Sequence, residues 1–158
     1  MPSLQPGMPG AKEAYGISII HDDLWFAIPP KAKVRYGIQE DDIVVLVTGH
    51  RGEGGFGLIK KDTALKTVFA RFVDKIEGIE HVYWYDRKAY ALAHVDNGKV
   101  QLTPEMLKAF YLEPGSHLLA VKSTTVTISF TPVEIWKQKL AKHGFFEAIE
   151  NMSKLEEF

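Results

Sequence analysis

Lys31, Lys33 and Arg35 put three cations within one short stretch, spaced along a helical turn. Several cations on one solvent-facing surface are what phosphate binding needs, because each neutralised phosphate releases condensed counterions. The same residues serve equally well as the solvated side of a small helix. A second candidate is the loop Gly49-His50-Arg51-Gly52-Glu53-Gly54-Gly55-Phe56-Gly57, whose glycines let backbone approach an anion, with Arg51 as its partner. It lacks the Lys-Ser/Thr ending of a phosphate-binding loop, and it is expected to join two antiparallel strands. A long hairpin that tolerates insertion is therefore the stronger reading. Six histidines stand at 21, 50, 81, 94, 117 and 143, none at the three- or four-residue spacing of a helical metal pair. His21-Asp22-Asp23 reads as a turn, since contiguous side chains cannot all point at one ion. There is no cysteine, no serine in a nucleophile-elbow context, and carboxylate pairs fall only in expected turns. No enzyme, metal site or cofactor is expected. Tyr83-Trp84-Tyr85 with Tyr90 offers stacking surfaces for bases. Alternation along a strand, however, sends Trp84 to the opposite side from its neighbours, so core or interface use is favoured. Trp25, Phe145 and Phe146 are candidates for an apolar surface buried against a second copy or another partner.

The elements that must position these groups follow from composition and pattern. The chain has 158 residues, 46% of them hydrophobic, enough for one domain with a core that needs no disulfide. The net charge of -1 supplies no global cationic field, so nucleic-acid or lipid binding has to rest on a local patch. No apolar run approaches the ~20 residues of a membrane span. The lack of cysteine fits a cytoplasmic location. Residues 1–14 read as a flexible leader. Short strands are expected over 16–20 and 24–28. Pro29-Pro30 then opens a helical turn that Gly37 closes. Ile43 to Val47 is a β-branched run suited to burial on both faces. Past the loop, 56–59 is a return strand. Asp62 is expected to cap a helix whose Leu65, Val68, Phe69, Phe72, Val73 and Ile76 share one face. Strands follow at 82–85, 90–95, 99–102, 117–121 and 126–130, with Thr103-Pro104 opening a short helix. Thr131-Pro132-Val133-Glu134 is a capping-box pattern at the head of a helix reaching Lys142. Residues 145–158 are expected to be a further amphipathic helix.

This order repeats. An offset of 74 aligns Leu24 with Gly98, Pro30 with Pro104, Ile38 with Leu112 and Val47 with Val121; past the hairpin the expected offset is 70. Gly98-Lys99-Val100-Gln101-Leu102-Thr103-Pro104-Glu105-Met106-Leu107-Lys108, followed by Leu112-Glu113-Pro114-Gly115-Ser116 and an apolar strand, resembles the SpoVT/AbrB family. Phe26-Ala27-Ile28-Pro29-Pro30 and Tyr36-Gly37-Ile38-Gln39-Glu40-Asp41-Asp42 are a looser copy, giving two units in one chain as in MraZ. The resemblance implies a mainly β fold with short helices: a pseudo-twofold swapped-hairpin β-barrel of AbrB type, each half followed by an α-helix. The units would be 15–60 and 89–131, with a linker helix and strand at 61–88 and a helical segment at 132–158. It also implies a DNA-binding transcriptional regulator acting on double-stranded DNA as a homo-oligomer. The family's Gly-Arg falls on Gly98-Lys99 in the second copy and on Leu24-Trp25 in the first, where the cation is lost. The short-helix basic positions fall on Lys33, flanked by Lys31 and Arg35, and on Lys108. The alternative is a non-enzymatic interaction or oligomerisation module on the same barrel that has lost DNA binding.

Overall fold

The computed structural model describes residues 13–49 and 53–158. Nine strands form one antiparallel sheet that curls into a nearly closed barrel with several short helices around it. The first half contributes β1 (Ala14–Ile19), β2 (Trp25–Ala27), α1 (Pro30–Tyr36), β3 (Ile43–Thr48), β4 (Phe56–Lys60), α2 (Lys61–Ala64) and α3 (Ala70–Val73). After β5 (Val82–Tyr85), the second half contributes β6 (Lys88–Asp96), β7 (Lys99–Gln101), α4 (Pro104–Ala109), β8 (His117–Lys122), β9 (Ile128–Pro132), α5 (Val133–Lys142) and α6 (Phe146–Met152).

Strands lie in the order β1-β8-β9-β4-β3-β6-β7-β2, with β5 added to β6. Exchanging the halves turns the ladder β1·β8 into β6·β3, turns β3·β4 into β8·β9, and maps β2·β7 and β4·β9 onto themselves. Register follows the exchange closely. Val44 faces Lys60 as Leu118 faces Pro132, so the offset is 74 before the hairpin and 72 after it. The expected 70 is corrected: the first hairpin is longer by two residues. β1 carries one extra residue, a bulge at Tyr15 between the pairs Ala14–Val121 and Gly16–Ala120. It turns the Tyr15 ring into the barrel, edge-on to Tyr36 at 5.9 Å.

Strand alternation accounts for the layering. Val44, Leu46, Leu118 and Ala120 point into the barrel, around Phe26, Phe56, Phe110 and Phe130, whose neighbouring rings lie 5.1 to 5.4 Å apart. Val45 and Val47 point out under Phe72, Val73 and Ile76, while Leu119 and Val121 point out under Trp136, Leu140 and Met152. The two central strands are thus buried on both faces, as the β-branched run at 43–47 predicts.

Several local expectations are corrected. Ala14 belongs to β1, not to the leader. The long helix expected from Asp62 is two single turns. Thr67 Oγ1 donates to the Ala64 carbonyl and accepts from Phe69 N–H, diverting the backbone and leaving Leu65 and Val68 exposed. Asp62 lies inside α2 and does not cap it. Thr131 is a strand residue bonded to Ser129 at 3.0 Å, so the capping box does not form and Pro132 precedes α5 without a side-chain cap. Thr103, in contrast, does accept from Met106 N–H at the start of α4, a cap that contributes about 1 kcal/mol. Residues 145–158 are not one helix: α6 ends at Met152, and residues 156–158 pair with β1.

Candidate nucleic-acid interface

The short ladder β2·β7 sits where the exchange of halves leaves it unchanged, and its side chains alternate. Phe26 and Val100 point inward, while Trp25 pairs with Gln101 and Ala27 with Lys99 on the outer face. Each strand is reached through a turn that needs a left-handed residue. In the second half this is Gly98, at φ 72°; in the first half Leu24 holds the same conformation at φ 68°. A branched residue there costs about 1 kcal/mol of backbone strain. Packing of Leu24 against the barrel core offsets that cost. Gln101 Nε2 donates to the Asp23 carbonyl at 2.8 Å and so ties the first turn to the second half.

The outer face forms a compact constellation. The His21 ring stacks on Trp25 with centroids 3.7 Å apart and an interplanar angle of 17°. Lys99 Nζ lies 4.4 Å from the Trp25 centroid, a cation–π contact. Lys33 reaches across from α1: a Cβ on Gly98 would lie 2.9 Å from its Nζ. The first half's helix cation and the second half's strand cation are therefore brought to one turn, with Trp25 beside them. Neither the His21 stack nor the Lys99–Trp25 contact is visible in the sequence, because the residues belong to different turns and strands.

The remaining candidates separate. On a helix, residues two apart point nearly opposite ways. Lys31 and Arg35 accordingly line a groove of about 570 Å³ with Val34, Pro30 and Tyr15, and Lys33 points elsewhere. The single patch expected of these three cations is corrected to two surfaces. Arg35 is engaged, its Nε 3.8 Å from Glu13 Oε2. Lys108 is exposed in the last turn of α4, in the other half. Arg51 lies outside the described residues. Phe145 and Phe146 are exposed at the corner between α5 and α6, far in the fold from the half-buried Trp25. Trp84 and Tyr85 are exposed on β5, while Tyr90 stacks on Phe72 at 4.7 Å in the outer core.

Acidic groups frame the constellation. Asp23, Glu80 and Asp96 line a groove of about 420 Å³ with Trp25, His94, Lys99 and Gln101. Glu40 Oε1 accepts from Asn97 N–H at 2.6 Å, and His94 Nε2 is 3.0 Å from Asp41 Oδ1. The surface is of mixed sign, with a cationic rim at Lys33 and Lys99.

The glycine loop has a structural reason for its composition. Gly55 donates to the Phe110 carbonyl at 2.9 Å, and a Cβ there would lie 2.0 Å from the Phe130 carbonyl oxygen. Glu53 is paired with Lys139 at 2.8 Å. Among the described residues no group of His, Asp and Glu is placed to hold a metal ion, and no helix is long and apolar enough to cross a membrane. No family model matches the chain, and no curated protein or solved structure does so.

Proposed function

We propose that the chain is a doubled barrel of the SpoVT/AbrB type, a transcriptional regulator that contacts the backbone of duplex DNA through the cationic rim of the β2·β7 face. The strand pairing supports the architecture. The ladders β1·β8, β3·β6, β2·β7 and β4·β9 all bridge the halves, and β1 and β3 take their cross-partners, β8 and β6, from the opposite unit. That is how two interlocked hairpin units seal one barrel, and it leaves few open edges. The single observation that carries the function is the convergence of Lys33 and Lys99 at the Gly98 turn. These are two of the positions onto which the resemblance maps phosphate-contacting cations. Lys31 lies on the separate groove of α1, and Lys108, which the offset of 74 aligns with Val34, is an exposed cation of α4 in the other half. Fold alone does not carry function. The assignment rests on these side chains.

The test is fluorescence anisotropy with duplex DNA across a salt series. Affinity is expected to fall with salt, with a log–log slope of about -0.9 for each phosphate neutralised. The double substitution Lys33→Glu with Lys99→Glu is expected to abolish binding at low ionic strength, and Lys31→Glu to weaken it. Salt-insensitive or absent binding by the unaltered chain overturns the DNA reading. The mixed sign of the groove beside Trp25 favours a second reading, an interaction or oligomerisation module on the same barrel. In that case Trp25→Ala lowers self-association, measured by sedimentation, while DNA has no effect.

A further inference from the structure

β5 stands outside the path of the barrel, and among the described residues it pairs with β6 alone. Its last two residues, Trp84 and Tyr85, are 52% and 50% exposed. Alternation sets them on opposite faces of the hairpin, Trp84 paired with Ala89 and Tyr85 with Lys88. The turn between the strands is two residues long, with Asp86 at φ 48° and Arg87 at φ 66°. Asp-Gly is a favoured pair for such a turn, so Asp86 fits it. Arg87 stands where glycine would be free of strain, and the turn holds a cation at its tip against the local conformational preference. On the face of Tyr85, Lys88 lies directly across the ladder. The Arg71 guanidinium is 4.6 Å from the Phe72 centroid, and the Phe72 and Tyr85 centroids are 5.2 Å apart. Among the described residues none of Arg71, Arg87 and Lys88 forms a salt bridge, whereas Arg35, Lys60, Lys137 and Lys139 do.

We propose that the tip of the β5–β6 hairpin binds single-stranded nucleic acid, with bases stacked on Trp84 and Tyr85 and phosphates held by Arg71, Arg87 and Lys88. Charge and ring chemistry together select this occupant. Three cations without carboxylate partners, against the one acid of the turn, Asp86, call for a polyanion. Two exposed rings on either side of a free strand edge call for flat partners. A single strand supplies both, because its bases are unstacked and open to aromatic side chains, while a duplex keeps its base faces in its own stack. The strand crosses the edge of β5 with one base on each ring. Every base has a face to stack, so binding is tolerant of sequence. The site stands at the Lys88 end of β6 and the β2·β7 rim at its Asp96 end, a nine-residue strand away, or about 27 Å. It uses neither Lys33 nor Lys99 and does not rest on the duplex-DNA reading.

The test is fluorescence anisotropy of the full-length chain with labelled oligothymidylate and oligouridylate, each of about ten nucleotides. Binding is expected at low ionic strength, weakening with salt at a log–log slope of about -0.7 for each phosphate neutralised. Equal affinity for the two oligomers assigns the site to single strands in general, and a preference for one assigns it to DNA or to RNA. Trp84→Ala is expected to lower affinity about tenfold, through the loss of one stacked base. Arg87→Gly is expected to make the salt slope shallower by about 0.7. Its denaturation midpoint stays unchanged or rises, because glycine suits the turn, so weaker binding by this variant is not a loss of fold. Lys33→Glu with Lys99→Glu is expected to leave single-strand affinity unchanged. If that double variant abolishes binding, the strand lies on the β2·β7 rim and the proposal is overturned. Absent binding, or binding that neither Trp84→Ala nor Arg87→Gly alters, overturns it as well. Self-association that is lost in Trp84→Ala, with no oligomer bound by the unaltered chain, makes the hairpin a protein interface instead.

Discussion

The edges of β1 and β6 occupy equivalent places in the two halves but are protected by different means. Leu92 in β6 is bridged by Ile79, in parallel, at the end of the helical segment that follows the first unit; Ile17 in β1 is bridged by Glu157 in the same way after the second. There the likeness stops. Beyond Ile79 the chain runs on into β5 and pairs Val82–Tyr85 with Lys88–Ala91, so β6 has a second, continuous ladder. Glu156–Phe158 form no further ladder among the described residues. A covalently continuous hairpin and a three-residue strap solve the same edge problem at very different local stabilities. The lesson is that two halves with matching strand order need not share their weak points.

Four substitutions test how far the halves remain equivalent. The largest effect is expected from Phe130→Ala. Phe130 is fully buried and pairs with Phe56 across the ladder shared by both halves. Its loss costs about 3–5 kcal/mol in chemical denaturation. Unfolding should remain a single transition, and two separate transitions would show that the halves are independent after all. An intermediate effect is expected from exchanging the turn residues. Gly98→Leu combines a left-handed backbone with the Lys33 contact and costs about 2 kcal/mol. Leu24→Gly relieves strain while losing core packing, and stays within about 1 kcal/mol of the parent. Equal costs at the two turns would show that Leu24 is not a strained substitute for glycine.

The smallest effect near neutral pH comes from the bulge that only β1 carries. Burial, with hydrogen bonding to Tyr36 and Glu13, raises the Tyr15 phenol above its ordinary value. The folded protein therefore keeps a proton that the unfolded chain releases above pH ~10. The stabilisation from this group is complete below that pH and falls as pH rises, by about 1.4 kcal/mol per pH unit while the folded phenol stays protonated. Tyr15→Phe is expected to reduce the slope of stability against pH above 10 and to leave it unchanged at pH 7, read from denaturation midpoints. Tyr36 and Tyr90 are also raised by burial and retain part of the slope.

Much of the barrel is legible in the sequence wherever a local rule decides the conformation. Pro29-Pro30 and Thr103-Pro104 mark the starts of the two short helices, and the run at 43–47 announces a strand covered on both faces. What escapes is decided by tertiary partners. Leu65 and Val68 fit an amphipathic helix, but the side chain of Thr67 competes for the backbone and breaks it. Thr131 and Glu134 have capping spacing, yet β9 continues through Pro132, because its ladder with β8 outweighs one cap. Residues 156–158 are too few to show strand alternation, so their docking emerges only from the backbone hydrogen bonds to β1 and the notch at Gly16 that Phe158 fills. At the candidate site the nominated cations are partly brought together. Lys33 reaches the Gly98 turn that precedes Lys99 because that turn from the other half lies beneath the helix, whereas Lys31 and Arg35 turn away by the pitch of that same helix.

The cross-pairing of the halves has a kinetic side. Ile17 in β1 finds Leu119 in β8 only after about a hundred intervening residues have been made and threaded past. No native ladder of β1 with β8 can form while the polypeptide is still emerging at its midpoint, and long-range closures of this kind slow the search for the native state. A newly synthesised molecule accordingly spends its early life with the apolar strand β1, Ile17 and Ile19 among it, without its partner β8, and it is during that interval, before any function begins, that chaperone capture and misassembly compete with folding.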